Sequence, residues 1–328
     1  MYKDIDELWR EALKDVLNGE TISPRGMKTK EIVAATYSLR DPHLCILTNH
    51  ERGVSPIYIG GEFLWYITGS NSGEMITHYA PSYKRFLEMG MFAHGAYGKR
   101  WEDGKQLPSI LRLLHEQPDT RQAVLSMWKS TDLWEVSAKQ GYLDYPCTLN
   151  IQFLIRMNRL HCIVTMRSND VWLGMPNDIA AFCMLQIMMA DFLGIDVGFY
   201  HHRVGSLHLY EKNEKSAVLA TLCNTASLPI RGVATIPHPD DFLLCIELAA
   251  KAEKMLRTKV SEIPLHLAYG LPAVMRTAVY LAAIRAPQIR GFASIAPPLT
   301  PAKKIPEEFV DLFIQVLGKE LYRAATQP

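Results

Sequence analysis

The chain opens on MYKDIDELWREALKDVL, whose apolar positions recur at helical spacing and whose acids come early, the pattern of an amphipathic helix. A turn bearing Gly, Pro and Ser, from Asn18 to Gly26, leads into the β-branched run EIVAATYSL, which reads as a strand. Phosphate-binding turns often precede such strands. GGEFLWYITGS, Gly60 to Ser70, reads as the end of a buried helix closed by glycine, and Pro108 to Trp128 as a helix, a PDTR turn and a strand. Between Leu149 and Ser168 two alternating runs flank Asn158 and Arg159, which predicts a tight β-hairpin turning on those two residues. In that register Met157 faces Leu160 and Asn150 faces Arg167. Continued outward, Cys147 comes near Asp170, so one end of the hairpin gathers Cys147, Arg167, Ser168 and Asp170.

DIAAFCMLQIMMADFLG is apolar almost all round and predicts a helix buried in a large core, with Asp178 in its first turn. VGSLHLY alternates, placing His208 and Tyr210 on one face with Ser206 and Val204. Beyond about Pro237 the pattern turns helical: DFLLCIELAAKAEKML, LPAVMRTAVYLAAIRA and PEEFVDLFIQVLGKELYRAA are joined by Pro-rich connections. The expectation is an α/β (α+β) domain over residues 1–236 with a large mixed sheet, followed by a helical C-terminal extension over 237–328. That extension is compatible with a separate subdomain or with a helical cover on the main sheet.

Composition narrows the function classes. With 328 residues, 48% hydrophobic and 21% charged, the chain can bury a substantial core. A formal net charge of +1 with no basic block argues against a nucleic-acid polymer as partner and for a small nucleotide held by a few placed arginines. The six cysteines include no CxxC pair and sit mostly in apolar runs, which argues against a disulfide framework or a zinc site. The N-terminus lacks the apolar core of a signal peptide, and no stretch looks long and apolar enough to span a membrane. A cytoplasmic protein without a metal is expected.

GEFLW with Glu62, YGKRW with Tyr97, PDTR with Arg121, PCTLNIQF with Cys147, MRSNDVWLGMPND from Met166 to Asp178, and VGSLHLY with His208 and Tyr210 follow one another in order. Over roughly residues 20 to 213 these motifs resemble the thymidylate synthase superfamily, and within it the deoxycytidylate hydroxymethylase branch. In thymidylate synthases histidine usually follows the nucleophilic cysteine, and asparagine stands in the pocket after Pro-Phe. Thr148 and Asp178 replace them here, and both departures resemble the hydroxymethylases. The carboxyl-terminal part resembles neither branch recognisably.

What the resemblance implies is a transfer from 5,10-methylenetetrahydrofolate to C5 of dCMP or CMP, with water completing a hydroxymethyl group. Cys147 adds to C6 of the base, and Glu62 relays protons through water. Asp178 accepts from the cytosine amino group. Arg167, Ser168 and Arg121 hold the phosphate, with Arg25 a further candidate. The resemblance also implies a homodimer in which an arginine is contributed across the interface. Asn169, Asp170, His208, Tyr210 and Tyr97 complete the nucleotide site, His208 and Tyr210 toward the sugar. Each has a plainer reading: Cys147 as an inert small hydrophobe, Arg25 and Arg121 as solvated charges, Glu62 as a helix-surface acid, Asn169 and Asp170 as turn formers, Asp178 as a helix cap. Arg167 beside the cysteine would lower the thiol pKa. Rival functions are methylation of a uracil nucleotide on the same scaffold, and a catalytically silent nucleotide-binding homologue.

Overall fold

In the computed structural model the residues described are 1–102, 105–138, 141–227, 229–230, 239–258, 265–268 and 270–285. The order of elements is α1 (Ile5–Leu17), β1 (Glu20–Ile22), β2 (Thr29–Leu39), α2 (Pro56–Ile67), α3 (Gly73–Tyr79), α4 (Tyr97–Glu102), α5 (Gln106–Glu116), β3 (Val124–Ser126), α6 (Ser130–Ser137), β4 (Thr148–Arg156) and β5 (Arg159–Asp170). There follow α7 (Met175–Leu193), β6 (Asp196–Tyr210), α8 (Glu214–Leu222), α9 (Phe242–Arg257), α10 (Leu265–Ala268) and α11 (Ala273–Arg285). The predicted mixed α/β architecture is present. One six-stranded sheet runs β1-β2-β6-β5-β4-β3, antiparallel throughout except for the parallel pair β5 and β6.

One face of the sheet is the core. α1 caps its first turn with Asp4, which accepts from the Glu7 amide at 2.9 Å, and buries Ile5, Leu8, Trp9, Ala12, Leu13 and Val16, the three-and-four spacing of one helical stripe. α7 is buried almost all round and ends on Gly194 in the left-handed conformation, φ 65°. Its buried Gln186 ties the helix to β5 and β6: Nε2 donates to the carbonyls of Leu160, Gly198 and Phe199, while Oε1 is left without a partner. α11 lies against α2 and α7, and α9 against α11 and α2. A methyl group on Gly60 of α2 would come within 2.7 Å of Leu281, so the glycine permits the close approach of α11. The sequence segment PEEFVDLFIQVLGKELYRAA falls outside the described residues.

Two sequence expectations are corrected. The hairpin turns on Met157 and Asn158, both at positive φ (50° and 56°), so Arg156 pairs with Arg159 and Asn150 with Thr165 rather than with Arg167. Moving the turn by one residue changes the pairing by two and so preserves which side chains face the core. A bulge between Thr148 and Asn150 then sets Cys147 beside Arg167, whose amide donates to the Cys147 carbonyl at 2.8 Å, not beside Asp170.

The second correction concerns β6. Its alternation changes phase at Gly205: before it the even-numbered Tyr200, His202 and Val204 are buried, and after it the odd-numbered Leu207 and Leu209. Ser206, His208 and Tyr210 therefore do not share the face of Val204. The same phase change occurs in β5 at Arg167, between buried Met166 and buried Asn169, and Ala34 in β2 sits at φ 60°. A line of irregularities thus crosses the sheet and re-aims the side chains on its far side. A Cβ on Gly205 would meet the Arg167 carbonyl at 2.9 Å, so this crossing needs glycine.

Candidate active site

That line of irregularities gathers the candidate residues. Cys147 ends the loop before β4 and is partly buried, with a free thiol. Burial pushes the thiol up to about 11, partly opposed by Arg167 and more weakly by Arg25, and assisted by Asp178 and Asp144. Arg167 therefore acts in the expected direction, but burial prevails. Its guanidinium is partly spent on the chain: Nε donates to the Pro146 carbonyl at 3.1 Å and Nη2 to the Tyr145 carbonyl at 3.2 Å, and it lies over the Trp128 ring. This braces the loop that carries Cys147.

Asp178 and Asp144 act on the thiol electrostatically, and Glu62 acts in turn on Asp178. Glu62 projects from α2, its Oε1 accepting from the hydroxyls of Tyr58 and Tyr66, one turn to either side of it. Its Oε2 is buried and unpartnered. Burial raises Glu62 to about 7 despite both hydroxyl donors. Asp178, in the first turn of α7, accepts at Oδ2 from Asn169 Nδ2 at 2.7 Å. Burial and then the Glu62 carboxyl push it up to about 8. The helix cap lies at Gly174, so Asp178 is not the capping residue. Asp144 accepts from the Tyr83 hydroxyl at 3.2 Å and is raised by burial to about 6.

The remaining candidates divide. The Tyr97 hydroxyl accepts from the Thr148 amide at 3.3 Å, next to the thiol. Ser168 Oγ lies 3.5 Å from His208 Nδ1, and the His208 and Tyr210 rings meet edge to face. Asp170 Oδ1 accepts from the amides of Trp172 and Leu173, the turn-forming use weighed above. Asn169 is buried and bonded to His202 and Asp178. Arg25 occupies a short exposed turn at φ 52°, within electrostatic reach of Cys147. Arg121 is exposed and precedes β3. Because β3 runs antiparallel to β4, with Ser126 opposite Asn150 and Val124 opposite Gln152, Arg121 lies toward the far end of β4 from Cys147.

Sequence reasoning missed Tyr58, Tyr66, Tyr83, Asp144, His202 and Asn169's contact with Asp178. The two tyrosines four residues either side of Glu62 were a readable signal. His202, whose partner is distant in sequence, was not. Among the described residues two other groupings, His50 with Glu51 and Cys223, and His94 with Asp132 and Glu135, carry potential metal-ligand atoms, and neither includes Cys147, Glu62 or Asp178. Among the described residues no helix is long and apolar enough to cross a membrane.

A thiol, an arginine and clustered protonatable acids suit nucleophilic addition to an electron-poor ring, followed by proton transfers. A sequence profile of the thymidylate synthase family matches residues 8–230. A protein named deoxyuridylate hydroxymethyltransferase from Pseudomonas phage M6 is 34% identical over 195 residues, 58% of this chain and 53% of that protein. One of the same name from Bacillus phage SP01 is 27% identical over 219 residues, 62% of this chain and 56% of its own length. The chain thus spans about half the length of these curated relatives.

Proposed function

This chain belongs to the thymidylate synthase family, and on that premise we propose that it is a 5-hydroxymethyltransferase of a pyrimidine nucleoside monophosphate. Cys147 adds through sulfur to C6 of the base, which makes C5 nucleophilic. Reduced folate, 5,10-methylenetetrahydrofolate, supplies the one-carbon unit that C5 receives. Loss of the C5 proton with release of tetrahydrofolate leaves an exocyclic methylene on C5; water adds to it, and the Cys147 thiolate departs from C6 as the C5–C6 double bond re-forms. Glu62, held between two phenols and near neutrality, relays protons to and from the base. Arg167, Ser168 and Arg25 are the phosphate donors on this chain. The buried, unpartnered oxygens Glu62 Oε2 and Asn177 Oδ1 fit a ligand bearing N–H groups.

The observation that carries the base assignment is Asp178. Uracil presents a carbonyl at C4 and a proton on N3, and a protonated carboxyl donates to the first and accepts from the second. Burial keeps Asp178 protonated to about 8. Deoxyuridylate is therefore our first substrate, in keeping with the names of both relatives. The deoxycytidylate reading rests on the same residue: ionised, it accepts from the amino group and steadies a protonated N3. A homodimer is supported by the sheet's outer face, where Val33 is 76% exposed and Ile163, Thr165, Phe199 and His201 are partly exposed, and by the remoteness of Arg121 from the thiol of its own chain.

The test is incubation of the purified protein with dUMP, dCMP or CMP, each with methylenetetrahydrofolate in isotopically labelled water. Label in the product by mass analysis supports hydroxymethylation. An unlabelled methyl product would overturn it in favour of a methylating synthase, and no product with any of the three would favour a silent homologue.

A further inference from the structure

The inference rests on Asp178 as reader of base position 4. Three buried side chains lead to it in an unbroken series of hydrogen bonds. The Tyr200 hydroxyl lies 2.9 Å from His202 Nδ1, His202 Nε2 lies 2.9 Å from Asn169 Oδ1, and Asn169 Nδ2 lies 2.7 Å from Asp178 Oδ2. Tyr200 and His202 have no exposed surface, and Asn169 is buried. His202 stands opposite Val164 and Asn169 opposite Leu207, on either side of the phase change in the two strands.

Burial drives His202 down to about 3, so the ring is neutral and carries one proton. A neutral imidazole donates from one nitrogen and accepts at the other. The series therefore has a direction. With the proton on Nε2, His202 donates to Asn169 Oδ1, and the asparagine must turn its NH2 toward Asp178. Oδ2 of Asp178 is then occupied as an acceptor, and a carboxyl proton sits on Oδ1, where it can donate to a ligand. With the proton on Nδ1 the asparagine flips, Asp178 donates from Oδ2 to the Asn169 carbonyl, and Oδ1 is left as a bare acceptor. With Asp178 protonated, the form that burial favours against the Asn169 donor, the two directions present opposite hydrogen-bonding edges, the first matched to a 4-oxo pyrimidine and the second to a 4-amino pyrimidine.

We infer that His202 and Asn169, anchored by Tyr200, are positioning residues for base selection: they fix which oxygen of Asp178 holds the proton and so favour the 4-oxo base. They touch no substrate themselves. Their role is distinct from that of Asp178, which meets the ligand directly.

The experiment measures Kd for dUMP and for dCMP by titration calorimetry, and kcat/KM where turnover is seen, in the full chain and four variants. Asn169→Ala and His202→Leu remove the directed link from two sides, so misfolding of one leaves the other to decide. Each is expected to move the dUMP-to-dCMP preference toward unity by about tenfold, the worth of one directed hydrogen bond. His202→Gln, whose amide donates from the place of Nε2, is expected to keep the preference within about twofold of the parent. A merely structural role would weaken both nucleotides alike and leave the ratio unmoved, which would overturn the proposal. Asp178→Asn separates the two levels. A ratio unmoved there removes Asp178 as the base reader, whereas a ratio moved there but not in Asn169→Ala or His202→Leu overturns the relay alone.

Discussion

Cys147 pairs a nucleophile's position with a reluctant thiol. Burial raises it to about 11, while Arg167 and Arg25 hold it lower than burial alone would. Alkylation of Cys147 by iodoacetamide, followed by peptide mass mapping, should accelerate about tenfold per pH unit between neutrality and pH 10, and Arg167→Ala should slow it further. A rate that levels off near pH 7 would show a thiolate already formed. Cys147→Ser should abolish turnover and leave calorimetric nucleotide binding within about threefold, because an alcohol is far less ionised than a thiol. Near-normal turnover would remove the covalent step. Glu62 and Asp178 have a second consequence, for stability. Their folded pKa values, about 7 and about 8, lie above their ordinary ones. The folded state thus holds protons that the unfolded chain has released, and the stabilisation present below pH 4 is lost as pH rises through 7 to 8. Denaturant unfolding at pH 5, 7 and 9 should show falling stability, with a slope of at most about 1.4 kcal/mol per pH unit from each group. Asp178→Asn should flatten that slope, and an unchanged slope would mean the acid is ionised when folded.

Elements carry what the residue patterns could and could not announce. Strand and helix periods are readable where one face is buried, as in α1 and the β4–β5 hairpin, and α7 is readable as an apolar run buried almost all round. The turn was misplaced by one residue because Met157 takes a positive φ that its side chain disfavours. Met157 is 87% exposed, so nothing in the core requires it. Met157→Asn should stabilise the protein by about 0.5–1 kcal/mol in denaturant melts, since asparagine tolerates that conformation. A destabilised variant would mean that methionine makes a contact which the turn needs. The phase change through Gly205 and Arg167 was not readable, because strict alternation gives no sign of where a strand bends. Most of the candidate site was nevertheless named from motifs that flank this line. The His202 to Asp178 series escaped because its members meet only after the sheet bends.

At the scale of the molecule the helices after residue 237 bear directly on the site. α11 packs on α2, the helix that carries Glu62, Tyr58 and Tyr66, and it does so over Gly60, where Leu281 sits in close contact. Leu281 is 3% exposed, and Tyr79 donates to Glu253 of α9 at 3.1 Å across the same region. On this packing we propose that the described C-terminal helices cover the main core rather than form a subdomain of their own. We propose that α2 and α11 unfold as one cooperative unit. Leu281→Ala should then lower the stability of the whole protein by about 2–4 kcal/mol through the cavity left beside α2. Unfolding followed by far-ultraviolet dichroism and by tryptophan fluorescence should shift together, because Trp65 on α2 reports the same event. Two separated transitions, with the fluorescence midpoint unmoved, would make the extension a subdomain of its own. The cavity should also loosen the placement of Glu62, so turnover should fall more than nucleotide binding, which depends on groups on β5 and the Cys147 loop.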